Sequence, residues 1–569
     1  MSLAEVGGQL ETVPPRQSLF GPDYLRIAVL VGVSALVHLW LVAHTAVPAR
    51  DSLGYARIAL NLVDPRAGAE PGQDRQRIDV IRTAEQPPGY PLAVLVCERL
   101  LARVVELPLS DRALLATQVA NAVSGVLLVV PLYLIGRILF NRNAGFSSAL
   151  LFSVLPVPAR VTSDGLSEGL YLLVAAAAVL FAVRTARRPG VGGYLLCGLA
   201  TGGCYLVRPE GLMVAGAAGG VILAFGSIRR WPRDLALGRL TALAVGVALV
   251  AVPYMVLIGK ITNKPSGRYL TDPMNNIRPR IYPEQSMSVP ARVSGPLFAA
   301  WWDPQLDQGK NRLVWAARAV GAETVKALHF GVAVLAVIGL VAHRRQLFAP
   351  DGGLWVLLAL VGLNVLLLLY LAMSLGYVSE RHTVLVVLLS CVFAAAALEP
   401  LARAVTVLPG LGRLVIWPGA TPWVCLVLLV ASALPYTLKP LHPQREGHKH
   451  AGQWLAGNLG EGDHLVDPLT WGEWYAGRTL YRTVEYKGQP EATWVIVETG
   501  KTSPHSRLPQ WERARELAAQ GERVYRWPAD AAPGAFAVEV YRIVHRSSRK
   551  PEGRPEVAVT PGPGVAGSP

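Results

Sequence analysis

Long apolar stretches separated by polar junctions dominate residues 25–437 of the chain. A helix that crosses a membrane needs roughly 20 mostly apolar residues, and by that criterion about eleven membrane-spanning helices are predicted. Their approximate ranges are 25–47, 112–138, 144–158, 166–184, 191–206, 211–228, 238–258, 324–342, 353–375, 383–399 and 417–437. The pattern therefore predicts a polytopic α-helical membrane protein.

The composition supports the same class of protein. Of the 569 residues, 52% are hydrophobic and 16% are charged, and the mean hydropathy is +0.36. Soluble domains carry a charge on roughly a quarter of their residues. These values exclude a cytosolic globular protein, a disordered protein and a coiled coil.

Basic residues concentrate in every second junction between the apolar stretches. The chain has 54 Lys and Arg against 39 Asp and Glu, a formal net charge of +15. Cytoplasmic loops of membrane proteins collect Arg and Lys, so we expect the N-terminal tail, residues 1–24, to be cytoplasmic. An odd number of spans then places the C-terminal region outside. The sequence shows no basic stripe with interleaved aromatic residues, so nucleic acid is not expected as a partner.

Three regions are predicted to lie on the outer side of the membrane. The first external loop covers residues 48–111, and a later one covers 259–323. After the last span, short β-rich runs, among them Thr479–Val484, alternate with helical segments. This alternation predicts a small extracytoplasmic α/β domain over 440–546. Residues 547–569 are rich in Arg, Ser, Pro and Gly and are predicted to form a disordered tail.

The first external loop begins with a candidate catalytic residue. Asp51 directly follows the first span, and Tyr55 lies four residues later, on the same face of a predicted helix. An Asp at a helix start is usually an N-cap. The alternative is a general base held at the outer membrane surface beside an apolar cavity.

A proline-rich motif later in this loop, Pro87-Pro88-Gly89-Tyr90-Pro91, fixes a rigid start for an apolar helix. One explanation is that the motif only marks the start of the helix. Arg82 and Glu85 precede it, and either could face the same cavity as Asp51. We therefore include Arg82, Glu85 and Tyr90 among the candidate substrate-binding residues.

Two charged motifs stand at predicted outer ends of later spans. In Arg208-Pro209-Glu210, the two charges either pair with each other or serve a substrate. In Arg381-His382, an arginine enters an apolar helix, which is costly unless an anion is present. A phosphate is the natural partner of a planar guanidinium.

Further candidates share this predicted membrane face. Glu168 lies four residues after Asp164, and the two are predicted to form an i, i+4 pair that opens a span. In the later external loop, Lys260, Lys264 and Arg268 could steer an anionic lipid head group. Each signal is weak by itself, but all of them fall at helix ends on one side of the membrane.

No cofactor or metal is predicted. The five cysteines lie in apolar stretches, with neither a CxxC motif nor the spacing of a zinc site. They are Cys97, Cys197, Cys204, Cys391 and Cys425. The sequence also contains no phosphate-binding P-loop motif.

On these motifs, the membrane region resembles the GT-C superfamily of integral-membrane glycosyltransferases. It is most similar to bacterial members related to the protein O-mannosyltransferases and the lipid A aminoarabinose transferase. The motifs that match are Asp51 with Tyr55, the Pro-Pro-Gly-Tyr-Pro segment, the stretch 142–173 with its Ser167–Tyr171 run, Arg208-Pro209-Glu210, and Arg381-His382. The resemblance spans residues 25–437 and implies a bacterial inner (cell) membrane location.

The resemblance implies transfer of a sugar from a polyprenyl-phosphate donor to a glycan, lipid or protein acceptor on the outer membrane face. It carries the role of base onto Asp51. Direct displacement from one face would invert the anomeric carbon. Many relatives have two adjacent acids, whereas Ser52 follows Asp51 here. A neighbouring carboxylate would have to come from elsewhere, for example from Glu85.

Two other classes of function remain open. One is a transporter or lipid flippase without covalent chemistry, although no clear internal repeat is visible in the sequence. The other is a non-catalytic scaffold whose external domain binds a glycan or a partner protein. The sugar, the polyprenol, the acceptor and the oligomeric state are not specified by the sequence.

Overall fold

The computed structural model describes residues 23–69, 73–187, 190–228, 231–264, 312–348, 352–375, 378–407, 420–482, 490–500 and 509–545. The predicted tail over 547–569 and most of the loop over 259–323, with Arg268, lie outside these residues. The chain divides into two compact units. The first comprises Met1–Glu446 and Gly477–Thr483, and the second comprises Gly447–Ala476 and Val484–Pro569.

The first unit is helical. Its helices are α1 (Tyr24–Ala43), α2 (Asp51–Val63), α3 (Arg77–Thr83), α4 (Gly89–Leu101), α5 (Leu109–Leu139), α6 (Arg142–Val154), α7 (Pro156–Ser163), α8 (Glu168–Arg187), α9 (Gly192–Val207), α10 (Leu212–Ser227), α11 (Arg233–Ile258), α12 (Arg312–Ala327), α13 (Gly331–Ala342), α14 (Gly353–Leu375), α15 (Val384–Val407) and α16 (Thr421–Thr437). Two 3₁₀ turns, Pro209–Gly211 and Glu380–Thr383, lie just before α10 and α15.

The apolar helices identify an integral membrane protein. Within the described residues, seven helices are long and apolar enough to cross a membrane, and up to nine spans result if each bent helix pair is counted as one. The bent pairs are α6 with α7, at 65°, and α12 with α13, at 102°. Pro156 follows the first break, and His329 and Phe330, both with φ of 50°, form the second. The predicted span 144–158 is therefore interrupted between α6 and α7. The predicted span 324–342 is interrupted between α12 and α13, and α12 begins before it, at Arg312.

Glycines allow the membrane helices to approach closely. A side chain at Gly198 of α9 would collide with the backbone of α11 at Leu243, and one at Gly246 of α11 would collide with α9 at Leu195. Small residues at such contacts are typical of membrane helices, which associate mainly by close packing. The contact fixes α9 and α11 against each other.

The first external loop folds onto the same helical unit. Gly89, at the start of α4, has no room for a side chain because its Cα faces the carbonyl of Leu206 in α9. The segment 479–482 lies against α2, where the carbonyls of Thr479 and Tyr481 accept hydrogen bonds from Arg57 and Asn61. The predicted strand Thr479–Val484 is therefore wrong over its described residues, since these carbonyls bond to helix side chains rather than to a neighbouring strand.

The second unit contains a four-stranded sheet in the order β1-β2-β4-β3. The strands are β1 (His464–Val466), β2 (Ala492–Thr499), β3 (Glu522–Trp527) and β4 (Ala537–Val544), and the helices of this part of the chain are α17 (Glu446–Ala456), α18 (Trp471–Tyr475) and α19 (Pro509–Ala518). β1 pairs with β2 in parallel, and the other two pairings are antiparallel. One face of the sheet packs Ile496, Val538 and Val540 against Ala451 and Leu455 of α17.

Candidate functional site

A cavity of about 810 Å³ lies in the first unit, between the ends of α8, α9, α11, α14 and α15. One part of its wall is aliphatic, with Leu367, Leu368 and Leu371 of α14. The other part is polar and carries the acidic and basic residues Glu168, Arg208, Glu210, Lys260, Lys264, Arg381 and His382. A cavity with an apolar wall and a few convergent polar groups is the usual form of a site for a small molecule or lipid.

The side chain of Arg381 connects this cavity with Asp51. Its Nη1 donates a hydrogen bond of 2.8 Å to Oδ2 of Asp51, across 330 residues of sequence. The Asp51 side chain is 51% exposed and does not itself line the cavity, whereas Arg381 does. A partly exposed ion pair of this kind contributes about 0–1 kcal/mol to stability, so an incoming anion can replace the carboxylate at low cost.

Arg208 is held between two carboxylates. Its Nη1 lies 2.7 Å from Oε1 of Glu168, its Nε lies 3.7 Å from Oε2 of Glu210, and its guanidinium stands over the Tyr171 ring at 5.6 Å. Lys264 donates to the other oxygen of Glu210 at 2.8 Å. The predicted ion pair between Arg208 and Glu210 is present, and the contact of Arg208 with Glu168 is shorter. Substrate binding by these residues stays a prediction.

The charges around the cavity do not balance. In the described part of the chain, four cations line it, Arg208, Lys260, Lys264 and Arg381, against two carboxylates, Glu168 and Glu210. No ion pair of Lys260 is found among the described residues. Burial, and then the neighbouring Arg208, lower the pKa of Lys264, while Glu210 opposes the shift. The surplus of positive charge favours an anionic ligand.

His382 lines the cavity next to Arg381. Its Nδ1 accepts a hydrogen bond of 3.1 Å from the backbone N–H of Ser379, so the imidazole closes the turn that precedes α15. Arg381 belongs to the same turn, so this bond helps to fix the direction of the Arg381 side chain. The structure therefore gives His382 a positioning contact beside its place in the wall.

Two tyrosines of the loop helices, one in α2 and one in α4, contact the neighbouring membrane helices through their hydroxyls. The Tyr55 hydroxyl lies 3.1 Å from the Ser167 hydroxyl, and the Tyr90 hydroxyl donates to the carbonyl of Thr117 at 2.6 Å. Their rings pack edge to face at 4.7 Å. Burial, with the charge of Glu168 adding to it, raises the pKa of Tyr55 to about 12. Both hydroxyls are buried and stay protonated, so they hold the start of α2 and α4 rather than accept a proton.

Asp164 has a different environment from that predicted. Its Oδ1 accepts hydrogen bonds of 2.7 Å from the backbone N–H groups of Ala49 and Gly165, and its Oδ2 lies 2.8 Å from Nε2 of His442. It precedes α8, which begins at Glu168, so the predicted i, i+4 helical pair of these two acids is wrong. Asp164 instead ties together three parts of the chain.

The protonation of this cluster follows from its burial and its partners. Burial alone would raise the pKa of Asp164, but His442, Arg445 and the Ala49 N–H outweigh it and lower the pKa to about 2. Burial lowers the pKa of His442. Asp164 is therefore ionised at neutral pH and forms a buried, hydrogen-bonded pair with His442.

Four of the candidate substrate-binding residues, Tyr55, Arg82, Glu85 and Tyr90, do not line the cavity. The side chains of Arg82 and Glu85 are exposed and do not line it, and only the backbone carbonyl of Arg82 is used, as an acceptor for Asn263. Tyr90 is fully buried beneath α2 and also does not line it. Glu85 lies in a loop before α4 and, in the structure, does not accompany Asp51 as a second carboxylate. Arg268 lies outside the described residues.

Sequence reasoning did not identify His442, which follows the last apolar helix and reaches Asp164 across 278 positions. No local pattern marks it, since a histidine two residues before a Gln-Arg pair has no motif. Within the described residues, no group of three His, Cys, Asp or Glu side chains could hold a metal ion.

A family model, described as dolichyl-phosphate-mannose-protein mannosyltransferase, matches residues 106–256. No curated protein sequence matches the chain.

Several solved structures resemble the fold. Archaeal oligosaccharyltransferase AglB from Archaeoglobus fulgidus, in complex with an inhibitory peptide and a dolichol-phosphate, has a TM-score of 0.53 at 11% identity, covering 92% of this chain and 74% of that one. ArnT from Cupriavidus metallidurans, bound to undecaprenyl phosphate, has a TM-score of 0.49 at 14% identity, covering 92% and 98%. The apo form of the A. fulgidus oligosaccharyltransferase has a TM-score of 0.48 at 13% identity, and the match covers 83% of this chain and 62% of that one.

The family match and the fold fit a membrane glycosyltransferase of the GT-C superfamily. The matched segment, residues 106–256, includes α5 to α10 and most of α11. It therefore includes Glu168, Arg208 and Glu210 of the cavity wall, whereas Asp51 and Arg381 lie outside it.

Proposed function

We propose that this protein transfers a sugar from a polyprenyl-phosphate donor to an acceptor at the outer face of a bacterial cell membrane, with Asp51 as the general base. The observation that carries the proposal is the contact of Arg381 with Asp51 at 2.8 Å, since Arg381 also lines the cationic cavity. One side chain thereby links the group that would activate the acceptor with the place where the donor phosphate would bind.

The cavity suits a lipid-linked phosphate in both of its parts. A phosphate needs cations and hydrogen-bond donors, which Arg381 and Lys260 can supply without leaving a carboxylate in the cavity wall unpaired. The isoprenoid chain needs an apolar surface, which the leucines of α14 present. The archaeal oligosaccharyltransferase of similar fold was solved with a dolichol-phosphate, a lipid phosphate of the same class.

The chemistry requires one carboxylate in this arrangement. Hydrolysis of a bond between two sugars usually uses two carboxylates, one of which protonates a poor leaving group. A lipid phosphate departs as a stable anion, so the site needs a base for the acceptor hydroxyl and cations for the departing phosphate. Asp51 takes the acceptor proton, the acceptor oxygen attacks the anomeric carbon, and the bond to the phosphate oxygen breaks with inversion.

Donor binding would also release the base. In the structure the Asp51 carboxylate is occupied by Arg381. A phosphate beside Arg381 competes for the same guanidinium, whose planar fork can hold two acceptors at once. We infer that the Asp51 oxygen becomes available to the acceptor when the donor is in place, which would limit wasteful reaction of the free enzyme.

The proposal includes an orientation in the membrane. If both bent pairs and the two shorter apolar helices, α9 and α16, each cross the membrane, the number of spans is the eleven that the sequence predicts. With the basic junctions in the cytoplasm, the N-terminus is cytoplasmic, and Asp51, the cavity and the second unit lie outside. The acceptor, a glycan, lipid or protein, is left open.

A reconstituted assay with the full-length protein tests the proposal. Proteoliposomes containing a panel of polyprenyl-phosphate sugars and a cell-envelope extract would be analysed by mass spectrometry for donor consumption and for acceptors that gain one sugar. We expect both with the wild type and neither with Asp51→Asn. Movement of the donor lipid between leaflets without any covalent product would instead support a flippase and would contradict the proposal.

A further inference from the structure

A second cationic group lies buried near the start of α11. Arg239 is only 3% exposed. Its guanidinium stands 4.1 Å from the centre of the Trp231 ring and 5.8 Å from the centre of the Tyr194 ring. The two aromatic side chains hold the guanidinium plane in place, as expected for cation–π contacts.

Arg239 and Tyr194 leave donors without acceptors. The Nε and Nη1 atoms of Arg239 are buried and have no hydrogen-bond partner, and no ion pair of this residue is found among the described residues. The Tyr194 hydroxyl is also buried without a partner. A buried polar group without a partner costs about 1–3 kcal/mol, and a charged one costs more. Such an arrangement is expected where a ligand supplies the missing acceptor.

The backbone holds these donors rigidly together. Tyr194 lies one turn before Gly198 in α9, and Arg239 lies two turns before Gly246 in α11. The close approach of α9 and α11 at those two glycines fixes the distance between the two side chains. The helix packing therefore keeps Tyr194 and Arg239 adjacent.

This site lies at the opposite membrane face from the cavity. Arg208 and Lys260, which line the cavity, follow the other ends of α9 and α11. The 16 residues of α9 span about 24 Å. The two groups of cations are therefore separate, and the new site does not depend on the proposed transfer reaction.

We propose that Arg239 and Tyr194 bind the phosphate of an anionic phospholipid head group at the membrane face opposite the cavity. A guanidinium offers two parallel N–H donors to phosphate oxygens. Tryptophan beside it is typical of the head-group region, and pockets of basic residues between helices on the cytoplasmic side bind anionic lipids. A free phosphate ion has the same chemistry, so the experiment separates the two sources.

The test uses the full-length protein in a neutral detergent, at 0.5 M ammonium acetate, a volatile salt that screens non-specific attraction. Native mass spectrometry measures retained phosphatidylglycerol against phosphatidylcholine, and thermal unfolding is followed with each lipid or with inorganic phosphate. We expect Arg239→Gln to weaken phosphatidylglycerol binding by about tenfold or more and Tyr194→Phe by about fivefold. The matched control, Arg233→Gln, removes a charge from an exposed position of the same helix and should change binding less than twofold.

If Arg239 binds a lipid, the order of the unfolding temperatures of wild type and Arg239→Gln should reverse when lipid is added. A purely structural arginine predicts no such reversal. Without lipid, Arg239→Gln should unfold at the same temperature as the wild type or higher, since it removes an unpaired buried charge. With phosphatidylglycerol, it should unfold at a lower temperature. If Arg239→Gln does not fold, Tyr194→Phe alone carries the test, because it deletes only the hydroxyl.

Each outcome decides the proposal. Arg239-dependent stabilisation by inorganic phosphate, without an effect of phosphatidylglycerol, would support a phosphate site that is filled from solution. Equal binding of both probes by the wild type, Arg239→Gln and Tyr194→Phe would overturn the proposal.

Discussion

Two aspartates on the same side of the membrane region have the same side chain but very different environments. Asp51 is half exposed and makes an exchangeable ion pair with Arg381. Asp164 is buried and receives two backbone N–H groups and the His442 imidazole. An acid with few partners can give them up and react, whereas an acid with all its acceptor positions filled holds structure.

The two acids are nevertheless connected. Asp164 binds the backbone N–H of Ala49, two residues before Asp51. His442, its other partner, follows α16, and Leu441 pairs with Thr45 in an isolated parallel bridge. We infer that Asp164 is a positioning residue, because it fixes the segment from which α2, and with it Asp51, begins.

The largest effect is expected for Asp51→Asn. If Asp51 is the base, this change should lower the rate of sugar transfer by about 10³-fold, with little change in unfolding temperature, because its ion pair is exposed. Single-turnover transfer in proteoliposomes measures the rate. The control is Asp64→Asn, an exposed acid just after the same helix that accepts bonds from the Arg66 and Ala67 N–H groups. Full activity of Asp51→Asn would remove it as the base.

The second-largest effect is expected for Arg381→Gln. Its rate of sugar transfer should fall about 10²-fold, because one preorganised charged donor to the leaving phosphate is removed. Arg381→Lys keeps the charge but not the two-acceptor geometry, and we expect an intermediate loss of about tenfold. Donor affinity, measured separately with a fluorescent lipid phosphate, should weaken in the same order. Loss of activity with unchanged donor affinity in both variants would show that Arg381 acts only on Asp51.

Asp164→Asn should act mainly on stability. The folded pKa of about 2 lies below the ordinary value of 3.8, which corresponds to about 2 kcal/mol of stabilisation at neutral pH. Because the unfolded chain takes up the proton first, this contribution is complete above about pH 5 and disappears as the pH falls towards 2. The difference in unfolding free energy between wild type and variant should therefore shrink over that range. A constant difference down to pH 2 would contradict this assignment.

The smallest effect is expected for Lys260→Gln. Lys260 lines the cavity and is exposed, so its charge attracts the donor without being fixed in one geometry. We expect KM for the donor to rise about fivefold, equivalent to about 1 kcal/mol, with kcat unchanged. The rise should vanish at high salt, which would not be the case if Lys260 touched the transferred group.

Much of the helical architecture could be predicted from the order of apolar residues. Each predicted apolar segment overlaps a helix of the structure, from α1 to α16. The two breaks, before Pro156 and at His329 and Phe330, were not predicted at their positions, since a run of apolar residues reads the same whether the helix is straight or bent. The strand over 479–484 was wrong because its backbone bonds to α2, far away in sequence.

The candidate site was predictable in its residue types but not in its pairings. Charges at the ends of apolar helices are costly, so Glu168, Arg208, Glu210 and Arg381 stood out without any structure. Arg82 and Glu85 stood out as well, by proximity to a proline motif, yet their side chains are exposed and do not line the cavity, and Arg82 meets the wall only through its carbonyl, which accepts from Asn263. Nearness along the chain was therefore a poor guide to a shared cavity.

Local sequence was enough to establish that this is a membrane protein, which apolar segments are helical, and which charged residues lie at their ends, because each of those properties depends on about 20 consecutive residues. The partner of each charge could be known only from the folded chain. Arg381 meets Asp51 across 330 residues and His442 meets Asp164 across 278, and no local pattern encodes contacts over such separations. Helix packing brings these groups together. It places Asp51 in an exposed ion pair that a ligand can exchange, and Asp164 in a buried cluster that supports the structure.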